Sequence, residues 1–438
     1  MNRVAVIIFF WALLASCQPV HGQDSNYWSE QYGTRSELLG GAVVGSPQDL
    51  STTFYNPGGL AYLKTESFLL SAKAFEYKRL TAQESSGRFK DLSTDRLGAS
   101  PSLFSGTFPR SWTQGTLAYS FLTRQRFELR VDNWSTAGTS STDSVATNLF
   151  IDARVLENWG GVTWSQSVGD IGVGVTLYGA YRSQRGRTEL LTTGFPGAEV
   201  AAVNDYNYWH FRLLAKMGLY WEQEPISLGI TVTTPGVGLF GDGKAAYYRS
   251  AVSADSTLAV PALSEVGVFN EPHVSYRSPA SVAIGARFDF GRNAVYTTIE
   301  AFAPVERYRV LDAPAVPVSG IGSTLGAVLT QELRSVVNVA IGYEYSPRKN
   351  LTFYGSFLTD FSSATDDPSA GHTLSTWDIY QVTGGVAFIA NNTDFTLGAS
   401  YARGGEPIYL QNDIGVAARL EQIEIQYRKI KVFIGFEF

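Results

Sequence analysis

The sequence predicts an all-β fold, a transmembrane antiparallel β-barrel of about fourteen strands. Three observations predict it. Charged residues are 17% of the 438-residue chain and aromatic residues 13%, with 43 glycines; ordinary soluble domains carry roughly 25% charge. Large apolar residues alternate with small or polar ones along most of the chain, as strands with one lipid face and one aqueous face require. The connections between these segments are short and long by turns. Composition also excludes other classes. Disordered chains are poor in aromatics. A mean hydropathy of −0.04 is too low for a helical membrane bundle. The net charge of −6, from 34 Lys+Arg and 40 Asp+Glu, argues against a nucleic-acid surface.

The N-terminus reads as an export signal. Arg3 precedes residues 4–15, which are uncharged and nearly all apolar. Such a stretch is too short to span a membrane as a helix, which needs about 20 residues, and suits a secretory signal over residues 1–22. Two processing sites compete. Val20-His21-Gly22 suits a general signal peptidase. Leu14-Ala15-Ser16-Cys17 resembles a lipobox, which would leave Cys17 lipidated. Cys17 is the only cysteine. Cleavage after Gly22 would therefore exclude disulfides, thiolate zinc sites and a cysteine nucleophile.

The strands follow in order. Residues 335–345 set Val337, Val339, Ile341, Tyr343 and Tyr345 against Asn338, Ala340, Gly342 and Glu344. Residues 170–182, 281–290 and 394–403 repeat the arrangement, with Gly172, Gly174, Gly285 and Gly398 on the second face. The predicted strands are 66–78, 98–106, 115–131, 148–166, 170–183, 205–222, 226–234, 279–290, 294–303, 335–345, 350–360, 374–389, 393–403 and 421–438. Most reach the roughly 9–11 residues of a tilted membrane strand. A soluble sandwich shares the alternation, but it does not share the connections. Those at 79–97, 132–147, 184–204, 235–279, 303–334, 362–373 and 403–420 are long, and the intervening ones are short. Bacterial outer-membrane barrels have long extracellular loops and short periplasmic turns. In the last strand Ile423, Ile425 and Tyr427 share one parity, and Ile430, Val432, Ile434, Phe436 and Phe438 the other. This predicts a bulge at Arg428. An aromatic Phe438 closing an alternating strand looks like the assembly signal read by the barrel-assembly machinery.

Residues 23–65 do not alternate. Residues 36–44 suit a short helix, and Asn56-Pro57-Gly58-Gly59 is a turn by local chemistry. The pattern Asp49-x-Ser51-Thr52-x-x-x-Asn56-Pro57-x-Gly59-Leu60-Ala61 resembles the hatch signature of the FadL-type transporters, a family of long-chain fatty acid and aromatic hydrocarbon channels. Gly58 stands where that pattern usually has Ala, a change expected to add backbone freedom. Residues 213–241 also look like the family's mid-barrel hairpin and following loop.

The resemblance implies an N-terminal hatch over 23–65 plugging the lumen of a barrel over 66–438, in the outer membrane of a bacterium. It implies passive uptake of hydrophobic compounds, foremost long-chain fatty acids, by lumen binding and lateral release into the membrane. The implied partners are the hydrophobic ligand, outer-membrane lipid and lipopolysaccharide, and the barrel-assembly machinery, with the chain a monomer. A general porin and a structural or adhesive barrel remain as alternatives.

Arg182 and Arg287 lie on non-lipid faces. Either could hold a ligand carboxylate, or pair with Asp289, Glu300 or Glu344. Trp112, Trp134, Trp159 and Trp209 near strand ends suit interfacial anchors. Apolar loop segments at Leu239-Phe240, Tyr247-Tyr248, 258–263 and 321–333 would either pack together or capture ligand. His21, His210, His273 and His372 are too scattered for a zinc site. G-x-S-x-G and G-x-x-x-x-G-K-[ST] motifs do not occur, so neither catalysis, nucleotide use, a metal nor a cofactor is expected.

Overall fold

Closing a sheet on itself removes its edges, and this chain closes fourteen strands into one ring. The structure, a computed structural model, describes residues 25–47, 49–63, 68–84, 92–109, 114–137, 145–194, 198–253, 263–312, 316–317, 324–325, 328–365, 376–390, 393–412 and 419–437. Residues 1–22, where a signal is expected, and Cys17, Trp112 and Phe438 lie outside the described residues.

In chain order the strands are β1 Phe68–Glu84, β2 Leu92–Thr107, β3 Thr116–Ala137, β4 Val145–Val168, β5 Ile171–Gly194, β6 Ala198–Gln223, β7 Ile226–Thr233, β8 Val237–Ser253, β9 Leu263–Asn270, β10 His273–Val274, β11 Ser281–Asp289, β12 Asn293–Phe302, β13 Val305–Asp312, β14 Val316–Pro317, β15 Thr324–Leu325, β16 Val328–Leu333, β17 Val336–Arg348, β18 Leu351–Asp360, β19 Ile379–Ala390, β20 Thr393–Asn412 and β21 Arg419–Glu437. The ring runs β1 to β7, then β11, β12 and β17 to β21, with β21 meeting β1. All its pairings are antiparallel.

The period-two residues face as their alternation predicts. Ile284 is 58% exposed and its neighbour Ala283 1%. Val337, Ile341, Tyr343 and Tyr345 of β17 likewise point outward, into the lipid band. At the short-turn end, Gly169 and Gly291 take positive φ (61° and 78°), which a residue without Cβ adopts freely.

The other end departs from expectation. Residues 184–204 are not a loop, because β5 and β6 stay paired from Gln184–Tyr208 up to Gly194–Ala198. Their outward side chains there include Arg185, Arg187 and Asp205, so hydrophobic alternation fades while the ladder continues. The same holds for parts of 79–97, 132–147 and 403–420. With 26 residues, β6 is far longer than the roughly 10 that cross a bilayer. Where β7 stops, β8 takes its place beside β6, from Leu213–Val237 to Ala198–Ser253, and β9 pairs with β8. Segment 303–334 contributes β13 and β16, which join β10 in a small separate sheet.

In β21 the pairing with β20 is unbroken, so there is no bulge at Arg428. The irregularity lies in β1, between Lys73 and Phe75. Tyr427, Lys429, Lys431 and Phe433 all face inward and are buried. The inward lysines disguised the strand's parity. Trp209 faces outward and stacks on Tyr181 at 6.1 Å, and Trp134 is exposed. Trp159 instead is buried in the lumen, where its Nε1 donates to Glu157 at 2.7 Å. Of the apolar loop residues, Leu239 and Phe240 are exposed on β8, while Tyr247 is buried against Phe269.

Candidate functional site

The N-terminal segment is built around Asp49. Its carboxylate accepts the backbone N–H of Thr34 (2.9 Å), Ser36 (3.2 Å) and Ser51 (2.9 Å), and the hydroxyls of Thr34 (3.1 Å) and Ser36 (3.2 Å). This ties the start of a one-turn helix, Arg35–Leu38, to the start of a second, Thr52–Tyr55. The first is shorter than the sequence suggested, because Gly40 and Gly41 turn the chain at positive φ (63° and 77°). The second ends at Asn56, followed by a 3-10 turn over Pro57–Tyr62.

Asn56 joins the segment to the wall. Its Nδ2 donates to the Val44 carbonyl at 2.7 Å and to the Leu219 carbonyl of β6 at 2.9 Å, and its Oδ1 accepts Gly58 N–H at 3.0 Å. The contact is close because the wall is bare of side chains. Gly172 and Gly174 of β5, Gly218 of β6, Gly229 of β7 and Gly285 of β11 all face the segment. A Cβ on Gly229 would stand 1.9 Å from the Val44 carbonyl oxygen, and one on Gly218 2.1 Å from Asn56 Oδ1. Gly58 is needed for the same reason and not for backbone freedom. A Cβ there would lie 2.6 Å from Gly172 O and 2.7 Å from Gly218 O.

Charge completes the docking. Glu30 and Glu37 of the segment meet the inward Lys429 and Lys431 of β21, at 3.7 and 3.6 Å, all four side chains buried. Arg35 pairs with Asp394 of β20.

Above the segment lies a polar cluster. Arg182 donates to Glu157 (3.0 Å), Gln125 (2.6 Å) and Gln184 (3.1 Å). Arg212 pairs with the other Glu157 oxygen and donates to Ser278 Oγ at 3.2 Å. The Tyr276 ring covers both guanidiniums, with carbons 4.1 and 4.7 Å from its centroid. Arg182 therefore sits in a satisfied network, with a partner, Glu157, that the sequence did not single out. Register across strands decides this pairing, and the sequence does not display register. Arg287 pairs with Asp289 at 2.7 Å near the short-turn end, one of the expected acids. Glu300 is engaged by Trp28 Nε1 and Ser281 Oγ, each at 2.7 Å, and Glu344 by the Tyr296 hydroxyl at 2.6 Å.

Two cations that the sequence reading passed over line a cavity below this cluster, about 560 Å³ counting its solvent-open part: Arg124 and Lys216, with Phe54, Trp159, Phe302 and Glu300. Arg124 is the extra residue of a bulge in β3, between the pairs Thr123–Asn158 and Gln125–Glu157. The bulge turns Arg124 and Gln125 to the same, inward side. The Arg124 guanidinium lies over Phe54 and Trp159, at 5.7 and 5.6 Å. Lys216 Nζ lies 4.5 Å from the Phe54 centroid and, among the described residues, makes no ion pair. Arg212 Nη1 is buried without a hydrogen-bond partner among them. Among the described residues, four cations, Arg124, Arg182, Arg212 and Lys216, thus face Glu157 and Glu300, with a third carboxylate, Glu30, at the adjoining cavity that Arg124, Lys216 and Glu300 also line and already paired with Lys429. Lys216 was open to detection, because it is the one charged residue in the apolar run 213–221 of β6 and occupies its inward parity.

The wall is broken beside this cavity. β2 and β3 pair only from Leu103–Leu122 to Thr107–Ala118. Beyond Leu103, β2 stays with β1 and β3 stays with β4. Side chains take over the exposed edge of β3. Tyr32 donates to the Thr123 carbonyl at 3.1 Å and Lys78 to the Arg126 carbonyl at 3.2 Å. A cleft, about 600 Å³ counting its solvent-open part, runs between β1 and β3 there, lined in part by Leu80, Leu129, Trp377 and Tyr427.

No known family profile matches the chain, and no curated protein matches it. Solved structures do. A FadL homologue of Pseudomonas aeruginosa aligns over 96% of this chain and 99% of its own, with a TM-score of 0.59 and 11% identity. The P. putida toluene transporter TodX aligns over 93% and 98%, at 0.58 and 15%. The Ralstonia pickettii toluene transporter TbuX aligns over 93% and 98%, at 0.58 and 14%. The fold is that of the FadL-type barrels.

Proposed function

We propose that this chain is a bacterial outer-membrane transporter that takes up hydrophobic compounds passively, and that its ligand is a long-chain fatty acid. The observation that carries the choice of ligand is the surplus of cations in the lumen. An isolated buried ion costs several kcal/mol, about 3–5 when a partner is removed. A hydrocarbon would leave Lys216 and the Arg212 Nη1 donor unpaired. A carboxylate would satisfy them, and Phe54, Trp159 and Phe302 would line its acyl chain. The solved neighbours include both a FadL homologue and toluene transporters, so the fold does not choose between ligands and the charges must.

In this reading residues 23–65 are the hatch, seated on the glycine wall by Asn56. The ligand arrives from the extracellular end, binds with its carboxylate at Arg124, Lys216 and Arg212, and leaves sideways through the β2–β3 break. Delivery into lipid spares the acyl chain a crossing of water that costs about 0.8 kcal/mol per CH₂. The test is a tryptophan-fluorescence titration of the purified protein with oleate and with oleyl alcohol, which share a chain and differ in charge. Oleate should bind at least tenfold more tightly, and Arg124→Gln/Lys216→Gln should erase the difference. Equal affinities in the parent protein would refute the ligand assignment.

A further inference from the structure

The lumen cavity has a neighbour. A groove of about 870 Å³, counting its solvent-open part, lies at the long-hairpin ends of β7, β11 and β12. It is lined by Pro235, Gly236, Arg277, Ala303, Pro304 and Glu306, and by Tyr276, Ser278 and Pro279. The last three also line the lumen cavity. One strip of chain therefore divides an outer groove from an inner cavity.

The strip is held at its ends. Ser275 N–H donates to the Val310 carbonyl at 2.8 Å, and Arg277 N–H to the Tyr308 hydroxyl at 2.9 Å. Ser278 Oγ accepts from Arg212 Nε and from Gly236 N–H, each at 3.2 Å. Between these anchors the Tyr276 side chain turns inward and is 6% exposed. Its ring rests on Arg182 and Arg212. Stacking on guanidinium planes is a sliding contact without a fixed hydrogen-bond angle, so the ring can leave while the backbone strip stays anchored. Arg212 is the cation with a spare donor. An anion that engages Arg212 competes with the ring for the same group.

We propose that Tyr276 is the gate between the outer groove and the lumen cavity, held shut by stacking on Arg182 and Arg212 and displaced by an incoming anionic headgroup. The gate's use rests on the reading of the cavity as a binding site. Its existence is tested without any ligand. Ser281 lines the inner cavity and is buried, so Ser281→Cys places a thiol behind the gate. Intact cells carrying Ser281→Cys would be exposed to a membrane-impermeant maleimide, with the chain lacking that substitution as blank. The labelling rate would be compared among parent, Tyr276→Phe, Tyr276→Leu and Tyr276→Ala, each scored only on heat-modifiable, assembled barrels. Phe keeps the ring and should label within twofold of the parent. Leu keeps bulk but not the stacking, and both Leu and Ala should label at least fivefold faster. A smaller rise in assembled Tyr276→Ala barrels would overturn the gate. Failure of oleate to bind would overturn the ligand assignment and leave this result standing.

Discussion

A methyl group added to the barrel wall should loosen a segment that is remote in sequence. Gly229 is the sharpest case. A Cβ there would lie 1.9 Å from Val44 O and 2.6 Å from Asn56 Nδ2, where real Cβ contacts stay above 3.0 Å. β7 is paired on both sides, to β6 and β11, so the wall cannot give way. The N-terminal segment must retreat by about 1 Å, since packed interiors absorb little strain. That would draw Asn56 Nδ2 out of hydrogen-bond range of Leu219 O, from which it now stands at 2.9 Å. Overpacking costs ~1–3 kcal/mol, and leaving the Leu219 carbonyl unsatisfied costs ~1–3 kcal/mol more. At ~1.4 kcal/mol per tenfold, local opening of the segment should rise by at least about tenfold in Gly229→Ala. Hydrogen–deuterium exchange reads this at the amides of Ser46, Asn56 and Gly59, which donate to Val43, Thr52 and Asn56 carbonyls. Gly355→Ala, whose methyl would meet nothing within 4 Å, should change nothing. Unchanged exchange in Gly229→Ala would refute the argument that bare glycine backbone seats the segment.

Other perturbations probe the charges. Glu37→Gln and Lys431→Met should each lower barrel stability by ~3–5 kcal/mol, because each strands a buried ion, and the double variant should lose less than the sum. A double-mutant cycle by thermal unfolding checks this, and additive losses would contradict it. Arg182→Met should destabilise by several kcal/mol, since Gln125, Gln184 and Glu157 all lose a donor, while Arg287→Met should cost at most ~1 kcal/mol for its partly exposed pair with Asp289. Heat-modifiability temperatures would rank the two, and equal shifts would count against the network. Asp49→Asn keeps the shape but weakens acceptors for five donors. It should speed trypsin cleavage at Arg35 in the purified protein by tenfold or more, and unaltered cleavage would show that the carboxylate does not organise the segment.

The lipid face was legible because lipid imposes one simple demand on it. Ile284, Ile341 and Tyr343 answer to the solvent, and no knowledge of partners is needed to place them. The strand number and the Asn56-Pro57 turn were legible for similar local reasons. The inward glycines were visible at Gly172, Gly174 and Gly285, but what they receive was not, because the segment that seats on them lies more than a hundred residues upstream. The upper ladders were lost because Arg185, Arg187 and Asp205 face water, where period two leaves no hydrophobic trace. Lys429 and Lys431 misled the reading of β21, as their compensating Glu30 and Glu37 sit at the opposite end of the chain. Arg124 faces the lumen only through a bulge, a backbone event with no residue signature. Arg182 and Glu157 meet through the register of β4 and β5, which emerges only when the hairpin is built.

Uptake by cells tests the central claim most directly. A Gram-negative host lacking its own fatty acid transporter would carry either this chain or Arg124→Gln/Lys216→Gln, with surface assembly of both confirmed, and would be offered labelled oleate and labelled toluene in parallel. A lumen built around a carboxylate predicts oleate uptake by the parent chain that falls at least tenfold in the variant. Toluene uptake without oleate uptake, or oleate uptake that ignores the two substitutions, would contradict it.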